Sequence, residues 1–166
     1  MNLHSFTQEI QKLNESSLCE DLRKTLDRYD DIILLGNGGS NAVCSHIAED
    51  YTKVLKKRTL TLSDAARLTC YINDYGMKQA YVQFIKEYAT KTTLVVLISS
   101  SGESQNIVNC ADFCISNNLD MILLSGFDKN NQLNKRAEHA KLSYWVDSCE
   151  YGVIELSHET FLHSLV

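Results

Sequence analysis

Five short apolar runs divide the chain, and stretches with helical spacing lie between them. The runs cover residues 31–35, 59–62, 93–98, 121–124 and 141–146. Two of them are continuously apolar rather than alternating, which is typical of strands buried on both faces of a sheet. The chain has no proline, and its seven glycines fall where the pattern places connections. The runs therefore predict five buried strands.

The intervening stretches predict helices over about 3–13, 16–28, 41–51, 77–88, 104–115, 131–137 and 153 to the end. Alternating strands and helices predict an α/β fold, a three-layer αβα domain with a five-stranded, parallel, doubly wound sheet. We expect a single domain over residues 1–166, with N-terminal helices at 1–29 and the α/β core at 30–166. In such sheets ligands bind beyond the carboxyl ends of the strands.

Composition narrows the class of protein. The chain has 166 residues and a formal net charge of −5, and it contains no basic stripe, so we expect no nucleic-acid partner. It contains no apolar run of the ~18 residues that span a bilayer, and its polar start does not resemble a secretory signal. Its six cysteines form no CxxC pair. We therefore expect reduced thiols, a cytoplasmic protein and no membrane association.

A glycine-rich motif, Gly36-Asn37-Gly38-Gly39-Ser40, directly follows the first strand. Glycines let a ligand approach the main chain, and the start of the next helix offers unpaired amides. The motif is neither GxGxxG nor a Walker loop. The same residues would also suit a tight turn that binds nothing.

A serine-rich motif, Ser99-Ser100-Ser101-Gly102-Glu103-Ser104, follows the third strand. Its hydroxyls and amides, together with the positive end of a helix dipole, would form a phosphate site that needs no basic residue. The alternative is that Ser101 or Ser104 only caps the helix. One serine would be enough for that role, and four favour the anion site.

The two motifs, together with residues 46–50 (His-Ile-Ala-Glu-Asp), resemble the sugar-isomerase (SIS) domain of bacterial phosphoheptose isomerases. Residues 72–76 (Ile-Asn-Asp-Tyr-Gly) are similar to a family segment found on a loop near the sugar. The resemblance covers roughly residues 30–163. It implies that the two loops bind the sugar phosphate. The substrate-binding residues that it implies are Asn37, Gly38, Gly39, Ser40, Asn73, Asp74, Ser99, Ser100, Ser101 and Ser104.

The resemblance also implies a zinc site with His46, Asp50, Glu155 and His163 as ligands. Within that set it implies Asp50 as the catalytic base and His163 as the catalytic acid. Two positions depart from the family, because Asp50 replaces a glutamate and Glu155 replaces a glutamine. Both changes keep oxygen ligands that suit zinc.

Helical spacing is compatible with this site. His46 and Asp50 are four residues apart and share one helix face, and Glu155, Glu159 and His163 form a stripe on the last helix. The alternative is two solvated helix faces without a metal.

The implied activity is an aldose–ketose isomerisation. Sedoheptulose 7-phosphate would become a heptose 7-phosphate through an enediol, for lipopolysaccharide or capsule biosynthesis. In the resembled family, N-terminal helices build a tetramer, so we expect a homo-oligomer, and specifically a homotetramer. The rivals are a non-catalytic SIS protein that acts as a sugar-phosphate sensor or adaptor, and an isomerase of another ketose phosphate.

Overall fold

The computed structural model describes residues 2–166. The strands are β1 (Asp31–Leu35), β2 (Arg58–Thr61), β3 (Thr93–Ser99), β4 (Met121–Ser125) and β5 (Leu142–Trp145). The helices are α1 (Leu3–Glu15), α2 (Leu18–Leu26), α3 (Gly39–Lys53), α4 (Ala65–Tyr75), α5 (Ala80–Tyr88), α6 (Gln105–Ser116) and α7 (Tyr151–His163). A 3₁₀ helix, Asn134–His139, precedes β5.

All five strands are parallel and lie in the order β2-β1-β3-β4-β5. The central strand β3 is buried along its whole length, in agreement with its continuous apolar sequence. The predicted five-stranded, doubly wound parallel sheet is confirmed.

Side chains alternate between the two faces of the sheet, as the period of two requires. Ile32 and Leu34 of β1 enter one core cluster with residues of α1, α2, α3 and α7. Ile33 and Leu35 enter the other cluster with residues of α4, α5 and α6. Helices therefore cover both faces, which confirms the three-layer αβα prediction.

The N-terminal helices are part of the first cluster. Leu22 and Leu26 of α2 are fully buried, and α1 packs against α7. Tyr144 on β5 donates a hydrogen bond of 3.0 Å to the buried Glu9 of α1. Both helices thus complete the core of their own chain, and an additional role in oligomerisation remains a prediction.

Strand order explains where a ligand can bind. The chain leaves β1 towards β2 on one side and later enters β3 on the other side of β1. The connections after β1 and β3 diverge at this switch point and leave a crevice at the carboxyl edge of the sheet. The glycine motif follows β1 and the serine motif follows β3, so both loops border this crevice.

The structure corrects the prediction for residues 72–76. Ile72 to Tyr75 form the last turn of α4, an element that the sequence analysis missed, rather than a loop. Asp64 caps α4 by accepting a hydrogen bond from the Arg67 amide, and Gly76 ends it at φ 74°. The helix predicted over 131–137 is a 3₁₀ helix that begins three residues later.

Within residues 2–166, none of the helices combines the length and apolar character needed to cross a bilayer.

Candidate active site

A cavity of about 240 Å³ opens at the switch point, between the loops that follow β1 and β3. Two contacts hold the loops together. The side-chain amides of Asn37 and Asn106 exchange reciprocal hydrogen bonds of 2.9 and 2.8 Å, and the hydroxyls of Ser40 and Ser100 lie 3.5 Å apart. The lining residues are Asn37, Gly38, Gly39, Ser40, Ile98, Ser99, Ser100, Ser101, Ser104, Tyr151 and Glu155. Eight of the ten predicted substrate-binding residues therefore meet in one cavity.

The glycine motif forms the tight entry into α3. A buried tyrosine supports it from below, because the Tyr81 hydroxyl donates a 2.8 Å hydrogen bond to the Gly36 carbonyl. At Gly39, a Cβ atom would lie 2.5 Å from a carboxylate oxygen of Glu155. A side chain at this position would displace the Glu155 carboxylate, which lies against the start of α3.

The serine motif presents hydroxyls with few partners in the protein. The Ser99 hydroxyl is buried and has no hydrogen-bond partner among the described residues. Ser104 is the N-cap of α6, yet its side chain makes no capping hydrogen bond. The Ser101 hydroxyl accepts a 3.2 Å hydrogen bond from the Glu103 amide. Glu103 precedes α6, so this bond is a turn contact and not a helix cap, and neither Ser101 nor Ser104 fits the capping alternative.

A second polar group lies between α3 and α7. His46, Asp50 and His163 each offer one ligand atom, and these atoms lie within 4.8 Å of one another. Asp50 Oδ2 is 3.0 Å from His163 Nε2 and 3.5 Å from His46 Nε2. Two imidazole nitrogens and a carboxylate oxygen are a donor set that divalent transition metals bind. Three of the four predicted metal ligands are therefore brought together.

Glu155, the fourth predicted ligand, lies apart from this group. Its carboxylate faces Gly39 and lines the cavity instead. Partial burial raises the pKa of Glu155 above its ordinary value. The other carboxylate of the α7 stripe, Glu159, lies 3.1 Å from His46 Nδ1. As placed here, Glu159 contacts the histidine group and Glu155 contacts the ligand cavity.

His158 lies in the protein core rather than at the candidate site. It is fully buried, and its Nε2 lies 3.1 Å from the Ser125 carbonyl at the end of β4. Burial lowers the pKa of His158 to about 4, so the ring is neutral at physiological pH. It therefore joins α7 to the sheet and does not reach the cavity.

Asn73 and Asp74 are exposed on the last turn of α4, and the Asn73 amide donates a 2.9 Å hydrogen bond to Asp74. Neither residue lines the cavity of its own chain. Their predicted role in substrate binding stays a prediction.

Comparisons with known proteins find phosphoheptose isomerases among the similar sequences and structures. The phosphoheptose isomerase of Fusobacterium nucleatum is 26% identical over 76% of this chain and 68% of its own length. That of Thermodesulfovibrio yellowstonii is 27% identical over 96% of this chain and 80% of its own. The structure of phosphoheptose isomerase GmhA from Neisseria gonorrhoeae superposes with a TM-score of 0.87, at 20% identity, over 98% of this chain and 91% of that one. No protein-family model matches the chain.

The chain is similar in sequence to phosphoheptose isomerases. Its fold is the one that the N. gonorrhoeae enzyme adopts, which confirms the resemblance expected from the loop motifs.

Two residues of the candidate site were not assigned to it from the sequence. Tyr151 lines the cavity, and Glu159 contacts His46. Both belong to a stripe with a spacing of four residues that runs from Tyr151 through Glu155 and Glu159 to His163. The periodicity alone contained this signal, because residues four apart share a helix face.

Proposed function

We propose that the protein is an aldose–ketose isomerase that converts sedoheptulose 7-phosphate to a heptose 7-phosphate. One observation carries the proposal. A cavity lined by glycines and unpartnered serine hydroxyls opens beside two helices, α3 and α7, that also hold a histidine–carboxylate group. An anion site and a neighbouring acid–base group are the two parts that isomerisation of a sugar phosphate requires. Relatives that are named phosphoheptose isomerases support the choice of substrate.

The serine motif would hold the phosphate. The helix α6 begins at Gln105, directly after the motif, so its first amides and the positive end of its dipole face the cavity. Ser104 lies at the start of α6 and makes no capping hydrogen bond, so its hydroxyl can donate to a bound phosphate oxygen. Neutral donors would thus anchor the charged end of the sugar.

The histidine group would hold a divalent metal, and zinc is our proposal for it. The donor set fits, because His46 Nε2, Asp50 Oδ2 and His163 Nε2 converge and other coordination positions are left for substrate oxygens. Glu155 is the further ligand implied by the resemblance. When bound, the metal would supply Lewis-acid polarisation of the sugar oxygens.

Proton transfer needs a base and an acid that reach adjacent atoms of the substrate. The resemblance assigns the base to Asp50 and the acid to His163, and the 3.0 Å contact between these side chains keeps them in one place. Asp50 would take the proton from the carbon next to the carbonyl. His163 would protonate the carbonyl oxygen to give the enediol, and the proton would return to the neighbouring carbon.

The decisive experiment measures the turnover of sedoheptulose 7-phosphate together with the metal content. We expect the wild type to convert the sugar and to contain about one zinc per chain. Asp50→Asn keeps the shape of the side chain and loses the base, so turnover should fall by two or more orders of magnitude. Asp50→Glu, which restores the residue of the family, should retain or raise activity. Binding of the sugar phosphate without turnover by the wild type would instead identify a sensor.

We further propose that the enzyme acts in the cytoplasm, supplies surface-polysaccharide synthesis and assembles as a homotetramer. The exposed positions of Asn73 and Asp74 on α4 support an assembly in which a neighbouring subunit's cavity receives them. Light scattering at micromolar concentration measures the assembly, and a monomer would contradict it.

A further inference from the structure

The side chain of His46 lies between two carboxylates. Its Nδ1 is 3.1 Å from Glu159 Oε1, and its Nε2 is 3.5 Å from Asp50 Oδ2. Only the first distance is that of a hydrogen bond. A neutral imidazole carries one proton, and the shorter contact places that proton on Nδ1, where it is donated to Glu159.

This arrangement leaves two lone pairs facing each other. With Nδ1 protonated, His46 Nε2 is an acceptor, and it points towards a carboxylate oxygen that also contacts His163 Nε2 at 3.0 Å. Neighbouring acceptors repel unless a cation lies between them. The pattern suits a metal ion at this point, because metal ligation uses the unprotonated nitrogen of a neutral histidine.

We propose that Glu159 is a positioning residue that fixes the Nδ1-protonated tautomer of His46 and so keeps Nε2 free to bind a divalent metal. A ligating histidine in proteins commonly donates its other N–H to a carboxylate, which sets both the tautomer and the orientation of the ring. The inference rests on the metal site of the proposed function and adds a residue to it.

The His46 ring is too exposed for packing alone to fix its orientation. The side chain of His46 is 55% exposed, whereas that of Glu159 is 28% exposed and is fixed on α7. The His46 ring also meets the His163 ring edge-on, with centroids 4.7 Å apart. Without Glu159, few contacts would prevent the half-exposed ring from turning or from moving its proton to Nε2. A contact of this exposure contributes little to stability, so it is better explained by orientation of the ring.

The test compares Glu159→Ala, Glu159→Gln and the wild type as full-length proteins. Zn²⁺ affinity is measured by competition with a chelator, and two-bond ¹H–¹⁵N spectra at pH 8 report the His46 tautomer in the metal-free protein. We expect Glu159→Ala to lower zinc affinity about 10- to 100-fold and to increase the Nε2-protonated form. Glu159→Gln should lose less, because its amide oxygen can still accept from Nδ1.

The matched control is Glu49→Ala. Glu49 lies on α3 with a 73% exposed side chain, so its removal changes the net charge equally without touching the histidine group. Zinc affinity should stay at the wild-type level in this variant. Unchanged zinc affinity and an unchanged tautomer in Glu159→Ala would overturn the proposal.

Failure of the isomerase assignment gives a different result. A wild type that binds zinc in a Glu159-dependent way but converts no sugar phosphate would leave the positioning role standing and remove the enzymatic proposal. A wild type that converts the sugar but binds no zinc would retain the isomerase and refute the role of Glu159.

Discussion

Replacing Gly102 with alanine should destabilise the serine motif more than a typical glycine substitution does. Gly102 has a φ of 68°, and an added Cβ would lie 1.9 Å from Oδ1 and 2.1 Å from Cγ of Asn131. The side chain of Asn131 is buried and cannot withdraw freely. Its amide nitrogen donates to Ser125 Oγ, the Gly126 carbonyl and the Asp128 carbonyl, and its oxygen accepts from the Asn134 amide.

The cost has two parts. A left-handed conformation costs an alanine about 1–2 kcal/mol. Displacing Asn131 weakens several buried hydrogen bonds at about 1 kcal/mol each, so we take about 2–3 kcal/mol for this part. The sum, about 3–5 kcal/mol of unfolding free energy, corresponds to a fall in Tm of roughly 6–20 °C for a domain of this size. Sugar-phosphate affinity should fall as well, because the motif must shift.

Gly76→Ala provides the matched control. Gly76 has a φ of 74°, but no atom lies within 4 Å of the added Cβ. Only the conformational cost applies, and because its ψ of 154° lies in a region essentially confined to glycine, we expect a loss of about 1–3 kcal/mol. Calorimetry or urea unfolding of the two variants compares them directly. Equal destabilisation would refute the reasoning, since it would mean that contact with Asn131 contributes nothing.

Three further results are expected. Ser101→Ala combined with Ser104→Ala should weaken sugar-phosphate binding roughly 100-fold in calorimetric titrations without unfolding the domain, and unchanged affinity would exclude the phosphate site. Glu155→Gln removes a negative charge from the cavity and restores the glutamine of the resembled family, so it should tighten phosphate binding about five-fold and keep the metal content; unchanged phosphate affinity would contradict the charge argument. The fold lowers the pKa of His158 from 6.5 to about 4. As the pH falls from 6.5 towards 4, His158 is protonated in the unfolded chain but not in the folded protein, so the free energy of unfolding should drop by up to about 3 kcal/mol. Urea unfolding of His158→Gln over the same pH range should lack this decrease.

The pattern of apolar residues predicted the sheet well, because burial of the strands determines which positions are apolar. The strand at 93–99 is apolar on both faces, and such a run has few alternatives to a central parallel strand. The helix α4 was not predicted, although its sequence has a helical pattern. Leu68, Tyr71 and Ile72 follow helical spacing, and Asp64 caps the helix.

The part of the site that the two loop motifs form was predictable, because it depends only on the parallel direction of the strands. Both loop motifs follow parallel strands, so their meeting at one edge follows from the fold class. The position of Glu155 was not predictable in this way. Whether its carboxylate reaches the histidine group or the cavity depends on how α7 packs against α3, and that packing involves Gly39, a residue 116 positions away.

The relation between α3 and α7 suggests how the length of the substrate would be recognised. Contacts between the two helices advance in the same direction, from Gly39 with Glu155, through His46 with Glu159, to Asp50 with His163. Glu155 and His163 are eight residues apart, which is about 12 Å along a helix. The Glu155 wall of the cavity and the Asp50–His163 pair are therefore held at a separation set by the geometry of two helices. In the proposed reaction, a shorter sugar phosphate would bind through its phosphate and yet fall short of Asp50 and His163, so rigid helix geometry would select for the long carbon chain.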